Sequence, residues 1–286
     1  MQVTAPNLAI YGILAVLTLV VVLERLTRIR FPIDCYFRYV WAFFLFFGVA
    51  ELVSLEVAVW ILAILCFLAL REYMTLVDIR LQDRWGVVGA YLSVPFMFYY
   101  IQIDWYGMFI ISIPVWAFLG IPFLVTLGGR ETKGTVFSIG AIDFGLFLLV
   151  YCVGHIGYLA RYSTWKAAFL VLAVALVDHV ACVVPAPKRG RWTRALIRYA
   201  IAAPLTVLLA WALSDWTGIP RDHSIILGLL IPALVAIGRR AMAYIEIDLG
   251  INRENLRPGS GQIIDCLKSF MYAAPVVFHY IRYFLT

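Results

Sequence analysis

The chain has 286 residues, of which 64% are hydrophobic and only 14% charged, with a formal net charge of +6 and a mean hydropathy of +0.92. This composition excludes an ordinary soluble domain, which needs far more polar surface, and describes a polytopic membrane protein. The positive balance does not point to nucleic acid, because no basic stripe is interleaved with aromatic residues.

Nine apolar segments follow one another at about 7–24, 39–53, 56–71, 86–101, 106–128, 137–160, 166–184, 197–214 and 224–246. Each is read as a membrane-spanning helix. The first, Leu8 to Leu23, follows an uncharged stretch and ends in Glu24-Arg25 rather than a small-residue cleavage site, so it is expected to be a retained span. The second, third and fourth are short against the ~20 residues that a helix needs to cross the hydrocarbon core. Val40 to Leu70 therefore reads either as two spans or as one bent unit.

Within the sixth span, Asp143 is expected to snorkel or to pair with a neighbour such as Lys133. His155 is expected to be a satisfied structural histidine. Asp178, near the end of the seventh span, either faces a cavity or reaches water at the membrane surface. Ser138, Ser214 and Ser224 have no histidine and acid at a recognisable spacing, so serine catalysis is not expected. The five cysteines are scattered without metal-ligand or disulfide spacing and read as small apolar fillers.

Loop charge sets the orientation. Arg25, Arg28, Arg30 and Arg38 follow the first span, Arg71, Arg80 and Arg84 the third, and Arg130 and Lys133 the fifth. Lys188, Arg189, Arg191, Arg194 and Arg198 follow the seventh, and Arg239, Arg240, Arg253 and Arg257 the ninth. The alternate loops are nearly free of cations. The positive-inside rule then places the N-terminus outside and the C-terminus in the cytoplasm, in a bacterial inner or other plasma membrane. An anionic lipid surface is the natural partner of such loops. The 9 Trp and 16 Tyr cluster near span ends, as interfacial belts do. The expected architecture is an all-α polytopic bundle of about nine transmembrane helices. It forms one integral membrane domain, 1–286, with N-terminal spans in 1–85, middle spans in 86–160 and C-terminal spans in 161–286.

The C-terminal stretch carries a pattern. It runs from Gly238-Arg239-Arg240 through Glu246-Ile247-Asp248-Leu249-Gly250-Ile251-Asn252-Arg253 to Arg257-Pro258-Gly259-Ser260-Gly261-Gln262-Ile263-Ile264-Asp265-Cys266-Leu267-Lys268-Ser269. This resembles the signature of the phosphatidate cytidylyltransferases (CDP-diacylglycerol synthases), roughly G-D-x-x-E-S-x-x-K-R-D-x-G-x-K-D…P-G-H-G-G-x-x-D-R-x-D-S. Gly238, Asp248, Gly250, Pro258, Gly259, Gly261, Asp265 and Ser269 keep their places. Further elements are similar to the family's in the same order. They are Leu70-Arg71-Glu72-Tyr73, Leu176-Val177-Asp178-His179-Val180-Ala181-Cys182, the loop Ala186-Pro187-Lys188-Arg189-Gly190-Arg191-Trp192-Thr193, and the closing stretch from Ala273 to Phe284. The resemblance covers nearly the whole chain.

The resemblance implies a cavity built by the last three spans and their loops, a dimer, and attack of a phosphatidate phosphate on CTP with release of pyrophosphate. Such a reaction brings anions together, and carboxylate-held divalent metal supplies the positive charge. Several of the implied metal and phosphate residues are exchanged here. Arg239 replaces an aspartate, Ala243 a serine, Glu246-Ile247 a lysine-arginine pair, Asn252-Arg253 a lysine-aspartate pair, and Ser260 a histidine. Gln262 replaces a glycine, Cys266 an arginine and Lys268 a second aspartate, and the loop has Ala186, Gly190 and Trp192 for a serine, a threonine and a glutamate. A guanidinium has no lone pair to give and keeps its proton near neutral pH, so metal-dependent transfer by the family's route is not expected.

The expectation is a catalytically degenerate relative in phospholipid metabolism, binding anionic lipid or a partner enzyme. That partner is an intact family member in a heterodimer, a CDP-lipid-using transferase, or a second copy. Asp178 and Asp265 are acids retained from the family pattern at the site and are the residues that would hold metal if any is bound. Lys188, Arg189, Arg239, Arg253 and Lys268 are the candidate phosphate or lipid contacts, with guanidinium forks in place of metal charge. No cofactor is expected in this reading. The alternative is an active CTP:phosphatidate cytidylyltransferase, or a related transferase, with a rebuilt site and Mg²⁺.

Overall fold

A computed structural model describes residues 5–27, 35–128, 132–184, 190–251 and 261–285. These residues are mostly helical, and no strand occurs among them. Long helices lie over α1 (Ala5–Thr27), α2 (Cys35–Leu52), α3 (Leu55–Leu76) and α4 (Arg84–Gln102). They continue through α5 (Tyr106–Thr126), α6 (Thr135–Tyr162) and α7 (Thr164–Val183) to α8 (Arg191–Ala212) and α9 (Arg221–Asp248). A short α10 (Gln262–Leu267) and a closing α11 (Phe270–Leu285) complete the chain.

Seven of these helices are long and apolar enough to cross a membrane by length and composition: α1, α3, α5, α6, α7, α8 and α9. The chain is therefore an all-helical, polytopic membrane-type bundle. An α-helix is suited to this role because it satisfies its backbone groups internally.

Burial sorts the helices into layers. α3, α6 and α7 are the most buried spans, while α1 and α8 lie at the margins. α2 packs on α1, α3 and α7, whereas α8 packs chiefly on α9. The α2–α3 stretch is two helices: Ser54 breaks it, and its hydroxyl accepts the Val57 N–H at 3.3 Å. The α8–α9 crossing is close because Gly228 lies against the Val207 backbone, where a Cβ would come within 2.5 Å of Cα. Gly in such a contact lets helix backbones approach, as small residues do in membrane bundles. The Thr206 hydroxyl donates across the same crossing to the Gly228 carbonyl.

Two helices change pitch midway. α5 carries a π-helical turn over Ser112–Ala117, which contains Pro114 and so lacks one backbone donor. α6 carries a second over Phe147–Cys152. The two turns pack on each other, beside a cluster in which Phe109, Tyr151, His155 and Phe278 contact one another.

Between α3 and α4, Arg80 holds Asp83 with hydrogen bonds of 2.7 and 2.9 Å and reaches across to the Thr135 hydroxyl at 3.0 Å. Burial alone would raise the Asp83 carboxyl, but the Arg80 guanidinium outweighs it and holds Asp83 below the usual carboxylate value.

The closing helix corrects one expectation. Leaving the C-terminus where the ninth apolar segment ends would put it at the end of the bundle opposite the start of α1. α11 instead carries the chain back. Arg282 bonds the Tyr162 hydroxyl and lies over the Tyr106 ring, 3.4 Å from its centroid, and Tyr280 meets His223 at 2.8 Å. These partners mark the end where α5 and α9 begin and α6 finishes. α1 begins there too, since it runs antiparallel to α2, with Leu14 over Gly48 and Thr18 bonded to Trp41. At sixteen residues, with Pro275, His279 and Arg282 within it, α11 is short for a span.

Two further expectations are corrected. Asp143 is buried with neither oxygen hydrogen-bonded, and it is Arg80 that reaches Lys133, through the carbonyl. Cys66, Cys152 and Cys182 are not in disulfides, but Cys266 is disulfide-bonded. Spacing within one segment carries no signal for a bridge between elements distant in sequence.

Candidate functional site

The resembled elements meet at the end of the bundle into which α3, α7 and α9 run. Three polar constellations sit there side by side. In the first, Asp178 near the end of α7 is buried and accepts three side-chain donors. Tyr39 of α2 reaches Oδ2 at 2.8 Å, Ser269 reaches Oδ1 at 3.0 Å, and Arg239 of α9 bonds Oδ1. A carboxylate taken from water is tolerable only when paired and hydrogen-bonded in this way. Tyr39 is held in turn by an edge-on contact with Phe270, 5.0 Å between centroids.

The second constellation is an ion triad. Lys268 follows α10 and bonds Asp265 one turn before it, with Glu246 of α9 at 3.3 Å from the same ammonium. Glu246 and Lys268 are both buried. Because Lys268 and Ser269 are adjacent in the chain, the two constellations are neighbours.

The third ties the early element to the signature. The Glu72 carboxylate, near the end of α3, accepts the N–H groups of Gln262 at 3.1 Å, Ile263 at 2.7 Å and Ile264 at 3.2 Å. These are the first amides of α10, which no intrahelical carbonyl can satisfy. Gly261 starts the turn at φ +97°, a conformation that glycine adopts without strain.

Asp178, Arg239, Asp265 and Lys268 are thus brought to one end of the bundle. Lys188, Arg189 and Arg253, expected there as phosphate contacts, lie outside the described residues. Arg239 is not a solvated anchor at the end of a span. Its guanidinium is committed to Asp178, with the side chain 29% exposed. Two participants escaped sequence reasoning. Tyr39 carried no signal, and Glu72 was noticed only through the resemblance.

The residues do not fit the divalent metal that the resemblance implies. A divalent ion needs carboxylate lone pairs facing an open position, yet a guanidinium meets the Asp178 oxygen and an ammonium bridges Asp265 and Glu246. Among the described residues no group of three or more His, Cys, Asp or Glu is arranged to hold a metal ion.

Fold and site together define a helical membrane protein with a charge-paired polar cluster at one end of its bundle. The chain is similar to the uncharacterized protein YnbB of Escherichia coli (strain K12), 28% identical over 239 residues that span 77% of this chain and 78% of that protein. No family model and no solved structure matches the chain.

Proposed function

We propose that this protein is a phosphatidate cytidylyltransferase-like membrane protein of phospholipid metabolism that has lost metal-dependent catalysis and works by binding anionic lipid or a partner enzyme. It spans the membrane about nine times before its closing helix. The basic loops lie in the cytoplasm and the N-terminus lies outside.

The observation that carries this reading is the pair of cations among the retained acids. Arg239 and Lys268 occupy positions where the resembled signature has aspartates, and each is bonded to an acid that the signature keeps, Asp178 and Asp265. Glu246, where the signature has lysine, completes the second group. The exchanges therefore compensate one another in charge, as expected where a polar cluster is kept for structure after metal binding is lost. The joining of Glu72 to α10 adds support, since it connects two elements of the resemblance that lie far apart in sequence.

The test is cytidylyl transfer by the purified protein in detergent with labelled CTP, phosphatidate and Mg²⁺, beside an active family enzyme. No turnover is expected. Turnover abolished by Asp265→Asn would overturn the reading in favour of a transferase with a rebuilt Mg²⁺ site.

A further inference from the structure

A cleft opens between α7, α8 and α9, beside the Asp178–Arg239 pair. Val177 and Ala181 of α7, Ala195 of α8 and Ala236 of α9 form apolar walls, and Arg198 and Arg239 are its charged residues. Arg239 is answered by Asp178, so Arg198 supplies the cleft's excess positive charge. Its Nη2 reaches the Val184 carbonyl only at 3.5 Å. Its Nε is buried with no hydrogen-bond partner. A guanidinium donor withdrawn from water and left unsatisfied is costly, and an anionic oxygen is its natural complement.

The surroundings specify what kind of anion. Ala195 and Ala236 are exposed, so the cleft reaches the outer surface of the bundle. That surface is apolar beside it, with Leu196, Ile201 and Ile237 exposed. A ligand with a phosphate at the arginines and hydrocarbon along the outer wall satisfies both halves. We infer that this cleft binds the headgroup of an anionic membrane phospholipid, with Arg198 as the cation that recognises its phosphate. The inference rests on the lipid-binding part of the proposed function and supplies its location.

The full-length protein in neutral detergent is titrated with dioctanoyl phosphatidylglycerol, dioctanoyl phosphatidylcholine and inorganic phosphate, with binding followed by thermophoresis. Phosphatidylglycerol is expected to bind about tenfold tighter than phosphatidylcholine. Arg198→Gln should remove that preference, Arg198→Lys should keep most of it, and Ala236→Trp should weaken both lipids by filling the cleft from an exposed position. Unchanged phosphatidylglycerol binding in both Arg198→Gln and Ala236→Trp overturns the inference. So does inorganic phosphate binding as tightly as the lipid, which would make this a free-ion site. The cytidylyl transfer assay, run on the same samples, separates the two ideas. Turnover with Arg198-dependent lipid binding removes the degenerate reading and keeps the cleft, while no turnover with Arg198-independent binding does the reverse.

Discussion

The Glu246 carboxylate lies 3.3 Å from the Lys268 ammonium, joining the last turn of α9 to the end of α10 inside the protein. Both side chains are nearly inaccessible, at 2% and 8% exposed, so neither charge can turn to water if the other is lost. Breaking such a pair from one side costs about 3–5 kcal/mol. Glu246→Ala should therefore destabilise strongly, and Lys268→Glu more so, because it would put a third carboxylate beside Glu246 and Asp265. The double exchange Glu246→Lys, Lys268→Glu should recover most of the loss. Thermal unfolding in detergent across this cycle checks it: additive losses in the double variant would show that the two residues do not act as a pair.

Glu72 makes a second, separable prediction. Its carboxylate satisfies three amides of α10, so Glu72→Ala should cost about 2 kcal/mol. Glu72→Gln, which keeps an acceptor oxygen, should cost less. Hydrogen exchange localises the effect: the amides of residues 262–264 should lose protection in Glu72→Ala while α5 is unchanged.

How much of this arrangement could be read beforehand depends on the range of the interaction. Apolar runs near membrane thickness announce helices, since each span is a local property of consecutive residues. The approach of Asp178 to Arg239 is a property of two helices 61 residues apart, and no spacing rule encodes it. Alignment to the resembled signature still brought both to one cavity. It described Arg239 as available for phosphate, because a resemblance gives position without hydrogen-bond partners. Arg198 was missed for the opposite reason. It stood in a run of cations that the positive-inside rule already explained, although its place four residues after Arg194 within α8 distinguished it from a loop charge.

The α8–α9 crossing predicts a steric threshold. Gly228→Ala must push Val207 backbone atoms away from contacts of 2.5 and 2.7 Å, at a cost of about 1–3 kcal/mol. Gly228→Leu should separate the helices and deform the Arg198 cleft. Gly218→Ala is a control without crowding, although its φ of +66° brings a backbone cost of its own. A melting temperature lowered no further in Gly228→Ala than in Gly218→Ala would refute the close-packing account.

Acid should weaken the junction between α3 and α4. Because the folded Asp83 carboxyl sits below its ordinary value, its pairing with Arg80 is fully stabilising above about pH 4 and is lost as pH falls through the folded value. Asp83→Asn removes that dependence. The gap in stability between parent and variant should hence be constant from about pH 7 to 5 and narrow below about pH 4. A gap that instead widens on acidification would reverse the sign and reject the Arg80 pairing as its cause.

A charge carried on a side chain is tethered to the chain and is not drawn from a pool in solution. Arg239 and Lys268 bring their charge to Asp178 and Asp265 when the chain folds. On the proposed metal-free reading, a chelator has nothing to remove from this cluster.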